Sequence, residues 1–138
     1  MSRIFWDTNI YIYLFAENPL YVAETKRLRE RIVERGDTLV TSVMTLGEIQ
    51  VRPRRDGDLD FALTLRRKVV ESSHIVAMDE SVADAFAEVR ARTRVRGADA
   101  VQLAAASVDI FVTNDKRLHQ LPKLPGIAAI LPPEKVAL

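Results

Sequence analysis

Short apolar segments alternate with helical patterns along this 138-residue chain, and that alternation limits its fold more than any other feature. One such pattern places Val22, Leu28 and Ile32 on one helix face and ends at Gly36. Strands that alternate with helices form a parallel sheet covered on both faces. The sequence therefore predicts one α/β domain over residues 1–138, with three α/β/α layers around a mostly parallel sheet. The expected strands are residues 3–6, 38–43, 74–78, 109–115 and 128–131.

Proline, glycine and capping residues set the expected element boundaries. The segment RPRRDGD, residues 52–58, is the clearest predicted loop because it joins a proline, a glycine and a run of charges. Asp79 is expected to cap the following helix, and Gly97 is expected to break it. The segment ADAVQLAAASV, residues 98–108, then predicts an alanine-rich helix.

The composition excludes several classes of protein. The chain has no cysteine, which rules out disulfides and thiolate metal sites. Asp7 and Asn9 interrupt the longest apolar run near the start, so neither a membrane span nor a signal peptide is expected. The protein is expected to be cytoplasmic. The net charge of +1 is too balanced to indicate nucleic-acid binding by itself, although arginines cluster at 52–55, 66–67 and 90–96.

Four acidic residues occupy the ends of predicted strands or the starts of predicted helices. Asp7 and Asp115 end apolar strands, Asp99 begins a helix, and Glu48 lies about one turn into another. In parallel sheets, functional groups collect beyond the carboxyl ends of the strands. Each acid also has a structural interpretation as a helix cap, a favourable charge at a helix dipole or a surface residue.

Convergence of these four acids would require a cation, because like charges in one pocket repel each other strongly. Oxygen ligands without histidine or thiolate favour a hard ion, Mg²⁺ or Mn²⁺. One or two such ions can activate water for in-line attack on a phosphodiester. The same ion would explain why the buried opening strand ends in a charged residue, Asp7.

The segments FWDTN, TSVMTLGEI, GADAVQLAAAS and IFVTNDKRL, in this order, resemble the PIN-domain nucleases. The closer resemblance is to the VapC-type toxins of bacterial type II toxin–antitoxin pairs. It extends from Ile4 to about Leu131 and places the four family acids at Asp7, Glu48, Asp99 and Asp115. Supporting hydrogen bonds are implied for positions next to two of these acids: Thr8, Asn9, Thr113 and Asn114.

The resemblance implies a Mg²⁺- or Mn²⁺-dependent endoribonuclease that inhibits translation by cleaving RNA. It also implies a homodimer and a cognate VapB-type antitoxin whose C-terminal segment lies across the active-site groove. Family members vary in the segment that corresponds to residues 52–58. For this reason Arg52, Arg54 and Arg55 are the expected RNA or partner contacts.

Two other interpretations remain open at the level of sequence. The basic clusters also suit a non-catalytic PIN-like module that binds RNA or protein without turnover. A phosphatase with Asp7 as nucleophile is weaker, because that chemistry needs a second acid where Asn9 stands. His74 and His119, the only histidines, have no partner at motif spacing for metal-independent RNA cleavage.

Overall fold

The computed structural model describes residues 1–138 and contains one five-stranded sheet with helices on both faces. All four strand pairings are parallel, in the order β3-β2-β1-β4-β5, which confirms the predicted α/β class and three-layer arrangement. The strands are β1 (Arg3–Trp6), β2 (Thr38–Ser42), β3 (His74–Val76), β4 (Val108–Val112) and β5 (Ile127–Leu131).

Eight α-helices and one 3₁₀ turn connect and cover the strands. No helix is both long enough and apolar enough to cross a membrane. The helices are α1 (Thr8–Phe15), α2 (Val22–Arg35), α3 (Val43–Glu48), α4 (Val51–Arg55), α5 (Leu59–Ser72), α6 (Glu80–Arg92), α7 (Gly97–Ala105) and α8 (Lys116–His119), and the turn is Pro133–Lys135.

The core consists of two apolar clusters, one on each face of the sheet. Successive side chains of a strand point to opposite faces. Phe5 therefore packs with α6 and α7 in one cluster, where it stacks on Phe111 at a centroid distance of 4.9 Å. Ile4 and Trp6 join the other cluster with α1, α2 and α5. β1 is buried from both sides, which is why its sequence is uniformly apolar.

Successive strands are added first on one side of β1 and then on the other, and this change of side determines where a site can form. The chain moves from β1 to β2 and β3 on one side, then returns to place β4 and β5 on the other. Connections leave the carboxyl ends of β1 and β4 toward opposite sides, which opens a crevice there. Asp7 follows β1 directly, and Asp115 lies three residues beyond β4.

The loop predicted for residues 52–58 is wrong in its first half, where α4 runs from Val51 to Arg55. Pro53 stands at the third position of this helix. The first backbone N–H groups of a helix have no intrahelical acceptor, so a proline in the first turn sacrifices no hydrogen bond. Arg52, Arg54 and Arg55 consequently project from a helix, and the turn is confined to Asp56–Asp58.

Other boundaries shift by a few residues. β4 ends at Val112, so Thr113, Asn114 and Asp115 lie outside the predicted strand 109–115. α7 ends at Ala105, because Val108 already pairs with β5. Gly97 opens α7 at φ +58°, in the left-handed region, whereas α6 has already ended at Arg92. The predicted cap is confirmed: the Asp79 side chain accepts a hydrogen bond from the Val82 N–H.

Candidate active site

Hydrogen bonds from the backbone and from side chains fix Asp7 at the end of β1. Its backbone N–H donates to the Val112 carbonyl oxygen at 3.0 Å, which continues the β1–β4 pairing. Its Oδ1 accepts from the Thr8 N–H at 2.8 Å and so caps α1, while its Oδ2 accepts from the Thr113 hydroxyl at 2.8 Å. Only 7% of the residue is exposed, and this burial raises the pKa of the carboxyl group despite the hydrogen bonds.

Glu48 reaches the same crevice from the last residue of α3. Ser42 ends β2 and caps α3, so this helix begins at the carboxyl edge of the sheet. Glu48 Oε1 accepts from the Thr8 hydroxyl at 2.7 Å. Partial burial raises the pKa of Glu48, and the negative charges of Asp7 and Asp99 raise it further.

Gln102 on α7 links the elements beneath these two acids. It is 1% exposed, and its Nε2 lies 2.7 Å from Thr45 Oγ1, 3.3 Å from Thr8 Oγ1 and 3.4 Å from Asp7 Oδ1. Its carbonyl oxygen accepts from the Ser42 hydroxyl. A buried amide with every polar atom bonded orients its neighbours and resists rearrangement. Gln102 therefore ties α7 to β2, α3 and the start of α1.

Asp99 and Asp115 lie on the outer side of the crevice, where Arg117 bridges them. Arg117 Nη2 is 2.5 Å from Asp115 Oδ2 and 3.5 Å from Asp99 Oδ2. Asp115 also caps α8 by accepting from the Arg117 N–H at 3.0 Å. Hydrogen bonding to Arg117 lowers the pKa of Asp115. Burial raises the pKa of Asp99, as do the charges of Asp7 and Asp115.

All four predicted acids thus meet at one end of the sheet, although they come from four distant segments. Burial raises the pKa of both Glu48 and Asp99, and the negative charge of Asp7 raises both further. In the observed side-chain conformations, no three of these carboxylates lie close enough together to hold a metal ion. The donor set itself, four carboxylates without sulfur or imidazole, matches the preference of Mg²⁺ and Mn²⁺.

The four predicted supporting residues divide into two groups. The Thr8 and Thr113 hydroxyls donate to Glu48 and Asp7, respectively. Asn114 does not support an acid, because its amide points to α1 and donates to the Tyr13 hydroxyl at 3.0 Å. Asn9 makes no hydrogen bond to an acid either, and its buried Oδ1 has no partner.

The three predicted RNA contacts on α4 are exposed, and Arg55 forms neither an ion pair nor a side-chain hydrogen bond. Arg52 lies 3.9 Å from the Asp56 carboxylate, and Arg54 donates to Gln50 Oε1 at 3.1 Å. Neither histidine joins the acids. His74 is exposed at the start of β3, and His119 Nε2 lies 2.8 Å from the Thr113 carbonyl oxygen.

The sequence-based predictions did not include Gln102 and Arg117, although the position of each relative to an acid in the sequence could have indicated it. Gln102 is the single polar residue in the stretch AVQLAAA and follows Asp99 by three positions, a spacing that places both on one face of a helix. Arg117 follows Asp115 by two residues, within reach of any carboxylate that caps the same helix. The Thr45 hydroxyl, on the same face of α3 as Glu48, accepts a hydrogen bond from the Gln102 amide.

A family model described as the PIN domain matches residues 4–124. This range includes all four acids, β2 to β4 and all of β1 except Arg3. No curated protein sequence matches the chain.

Solved structures of similar fold include two DNA-bound VapBC complexes. One is from Salmonella typhimurium, with a TM-score of 0.70, 21% identity and coverage of 94% of this chain and 97% of the other. The second, VapBC2 from Rickettsia felis bound to a promoter fragment, has a TM-score of 0.68, 17% identity and coverage of 94% and 96%. A toxin–antitoxin complex from Klebsiella pneumoniae has a TM-score of 0.62, 20% identity and coverage of 90% and 94%. At these identities the likeness establishes the shared fold.

Proposed function

The chain belongs to the PIN-domain family, and from that premise we propose that it is a divalent-metal-dependent endoribonuclease acting as the toxin of a toxin–antitoxin pair in the cytoplasm. The observation that carries the proposal is the meeting of Asp7, Glu48, Asp99 and Asp115 at the switch point of the sheet. Burial raises the pKa of three of these carboxyls, and their mutual repulsion adds to the shift. A bound cation would stabilise the ionised carboxylates in this environment.

These four carboxylates would hold Mg²⁺ or Mn²⁺. The ion would supply a Lewis acid that activates water and stabilises charge on the phosphate oxygens. The protein contributes orientation. Thr113 and Gln102 hold the two oxygens of Asp7, and Thr8 holds Glu48, so both carboxylates are positioned before any ligand arrives.

The toxin role draws on two further observations. The solved structures of similar fold belong to toxin–antitoxin complexes. In addition, several large apolar side chains are exposed on α4 and α5: Val51, Leu59, Phe61 and Leu63. Val51 lies three residues after Glu48 at the start of α4, and α4 packs against α5. Exposed apolar groups beside a charged site suit a protein partner, and we assign them to the VapB-type antitoxin. Homodimerisation is expected from the family.

RNA cleavage by the purified chain tests the proposal. Cleavage should require Mg²⁺ or Mn²⁺, stop in excess chelator and leave 5′-phosphate ends on the products. Products with 2′,3′-cyclic phosphate ends, or full activity in chelator, would contradict metal-activated hydrolysis. Co-expression with the product of the adjacent reading frame should yield a stable complex that cleaves no RNA.

One observation favours the alternative, a PIN module that binds RNA or protein without turnover. Arg117 already bridges Asp99 and Asp115, so part of the negative charge is compensated by the chain itself. The same assay separates the two proposals. Tight RNA binding without metal-stimulated cleavage across varied RNAs would favour the binding module.

A further inference from the structure

An open cavity of about 420 Å³ adjoins the acidic site on the side of Asp99 and Arg117. It lies between the segment that connects α6 to α7 and the helix α8. Three arginines, three apolar residues and one acid line it: Arg94, Arg96, Arg117, Val95, Leu118, Leu121 and Asp99. The cavity shares both Asp99 and Arg117 with the acidic site, so the two are continuous.

The charge of this cavity is positive and largely uncompensated. Arg94 and Arg96 are exposed and form no ion pair, whereas the neighbouring Arg92 pairs with Glu88 at 2.7 Å. Asp99 is the one carboxylate in the lining. Two guanidinium groups therefore lack a counter-charge, and phosphate oxygens are the partners that such groups bind best.

The floor of the cavity is apolar and fixed. Leu118 is 2% exposed and belongs to the core cluster beneath α7, and the partly buried Val95 and Leu121 pack against the same cluster. A rigid apolar floor inside a ring of guanidinium groups complements a nucleotide, which joins a flat ring to a negatively charged phosphate. A free phosphate would not contact the floor.

We propose that this cavity binds a nucleotide of single-stranded RNA adjacent to the phosphodiester that faces the acids, with its flanking phosphates on Arg94 and Arg96 and its base against the floor. The inference rests on the proposed function, because it takes RNA as the substrate. It also adds an RNA-binding surface to the one expected from the sequence. The sequence predicts RNA contacts at Arg52, Arg54 and Arg55 on α4, whereas the arginines that line this cavity with Asp99 precede α7.

The test measures binding rather than cleavage. A fluorescently labelled single-stranded RNA is titrated with protein in excess chelator, where no hydrolysis occurs, at several salt concentrations. The test variant carries Arg94→Gln and Arg96→Gln. The control variant carries Lys26→Gln and Arg29→Gln, which remove the same charge from α2 on the opposite face of the sheet.

We expect the Arg94/Arg96 variant to bind at least about tenfold more weakly than the wild type. The slope of log affinity against log salt should fall by about 0.7 for each phosphate group that the variant no longer binds. The control variant should bind almost as the wild type does. Equal affinity of the test variant and wild type, or equal decreases in both variants, would overturn the proposal. A strand of the same length without bases should bind wild type more weakly, and equal affinity would overturn the role of the floor.

The result of this binding test can be distinguished from the result of the cleavage test of the proposed function. A protein that cleaves RNA normally but binds it independently of Arg94 and Arg96 would refute the cavity and leave the nuclease intact. Binding that depends on these arginines, in a protein without metal-stimulated cleavage, would support the cavity and refute the nuclease.

Discussion

The acidic site consists of two pairs of carboxylates that are held in different ways. The inner pair, Asp7 and Glu48, accepts hydrogen bonds from the neutral side chains of Thr113, Thr8 and Gln102. The outer pair, Asp99 and Asp115, is bridged by the guanidinium group of Arg117, whose side chain is 80% exposed. The inner pair is therefore organised by the interior of the protein and the outer pair by a surface cation.

For the metal ion that we propose, this difference predicts which carboxylates are already in position and which must rearrange. Buried hydroxyl and amide donors hold the inner carboxylates in place, and burial raises the pKa of both carboxyls despite these hydrogen bonds. An exposed ion pair is weak and screened by salt, so the bridge through Arg117 is easily exchanged. Binding of a divalent ion should thus replace Arg117 at the outer pair and leave the inner pair unmoved.

The largest expected effect follows from neutralising the inner pair. Asp7→Asn should reduce RNA cleavage by more than about a hundredfold, since loss of even an indirect metal-site partner costs 10–100-fold. The same change should raise the melting temperature of the metal-free protein, because the amide removes a buried, uncompensated charge. Cleavage assays and thermal melts in chelator measure the two effects.

Asp84→Asn is the matched control for this variant, since Asp84 is exposed on α6 and forms no ion pair. It should change neither cleavage nor melting temperature. Undiminished cleavage by Asp7→Asn would remove Asp7 from the proposed site. A lower melting temperature would show that Asp7 stabilises the fold rather than straining it.

The next effect tests whether the inner pair depends on its buried scaffold. Gln102→Leu keeps the approximate volume but leaves the Ser42 and Thr45 hydroxyls without their amide partner. The free energy of unfolding should fall by about 1–3 kcal/mol, and cleavage should fall by about 10–100-fold. Chemical denaturation and initial rates provide the measurements. Gln120→Leu, at an exposed position, serves as control, and equal behaviour of the two variants would rule out the scaffold role.

A smaller effect of opposite sign is expected at the outer pair. Arg117→Gln removes the cation that competes for Asp99 and Asp115, so the affinity for Mn²⁺ in the absence of RNA should rise severalfold. Electron paramagnetic resonance of free Mn²⁺ gives this affinity directly. Lys116→Gln removes a neighbouring exposed charge that has no carboxylate partner. An equal rise in both variants would indicate a general charge effect, and no rise would show that Arg117 does not compete.

The smallest effect is the pH dependence of stability. Burial in the folded protein raises the pKa of Asp7 above its ordinary value of 3.8. At pH values between the ordinary and the raised pKa, Asp7 is protonated in the folded protein and ionised in the unfolded chain. The advantage of Asp7→Asn in melting temperature should be small at or below the ordinary value. It should grow as pH rises through the elevated pKa and then stay constant. A pH-independent advantage would contradict burial as the cause.

The parts of the fold that were predicted correctly depend on local patterns. Apolar strands alternating with helices require a covered parallel sheet, and Asp79 caps α6 as its position indicated. Local rules failed where two interpretations were equally allowed. Pro53 is typical of a loop but is also acceptable in the first turn of a helix, and α4 takes that form.

The candidate site shows the same division. Four acids at strand ends and helix starts could be identified from the sequence, because strand order and helix position are encoded locally. The interactions of Gln102 and Arg117 could not, since each depends on side chains brought together from distant segments. Asn114 illustrates the limit: its neighbour Thr113 donates to Asp7, yet its own amide turns away to Tyr13.

The sequence by itself determined the α/β alternation, the family to which the chain belongs and the identity of the four acids. These properties follow from residue type and spacing along the chain. Only the tertiary structure decided which acids are held by neutral donors, which are bridged by Arg117, and where unpaired arginines adjoin them. The reason is physical: burial, charge compensation and cavity shape depend on the through-space environment of a side chain, and neighbours in sequence specify only a small part of that environment.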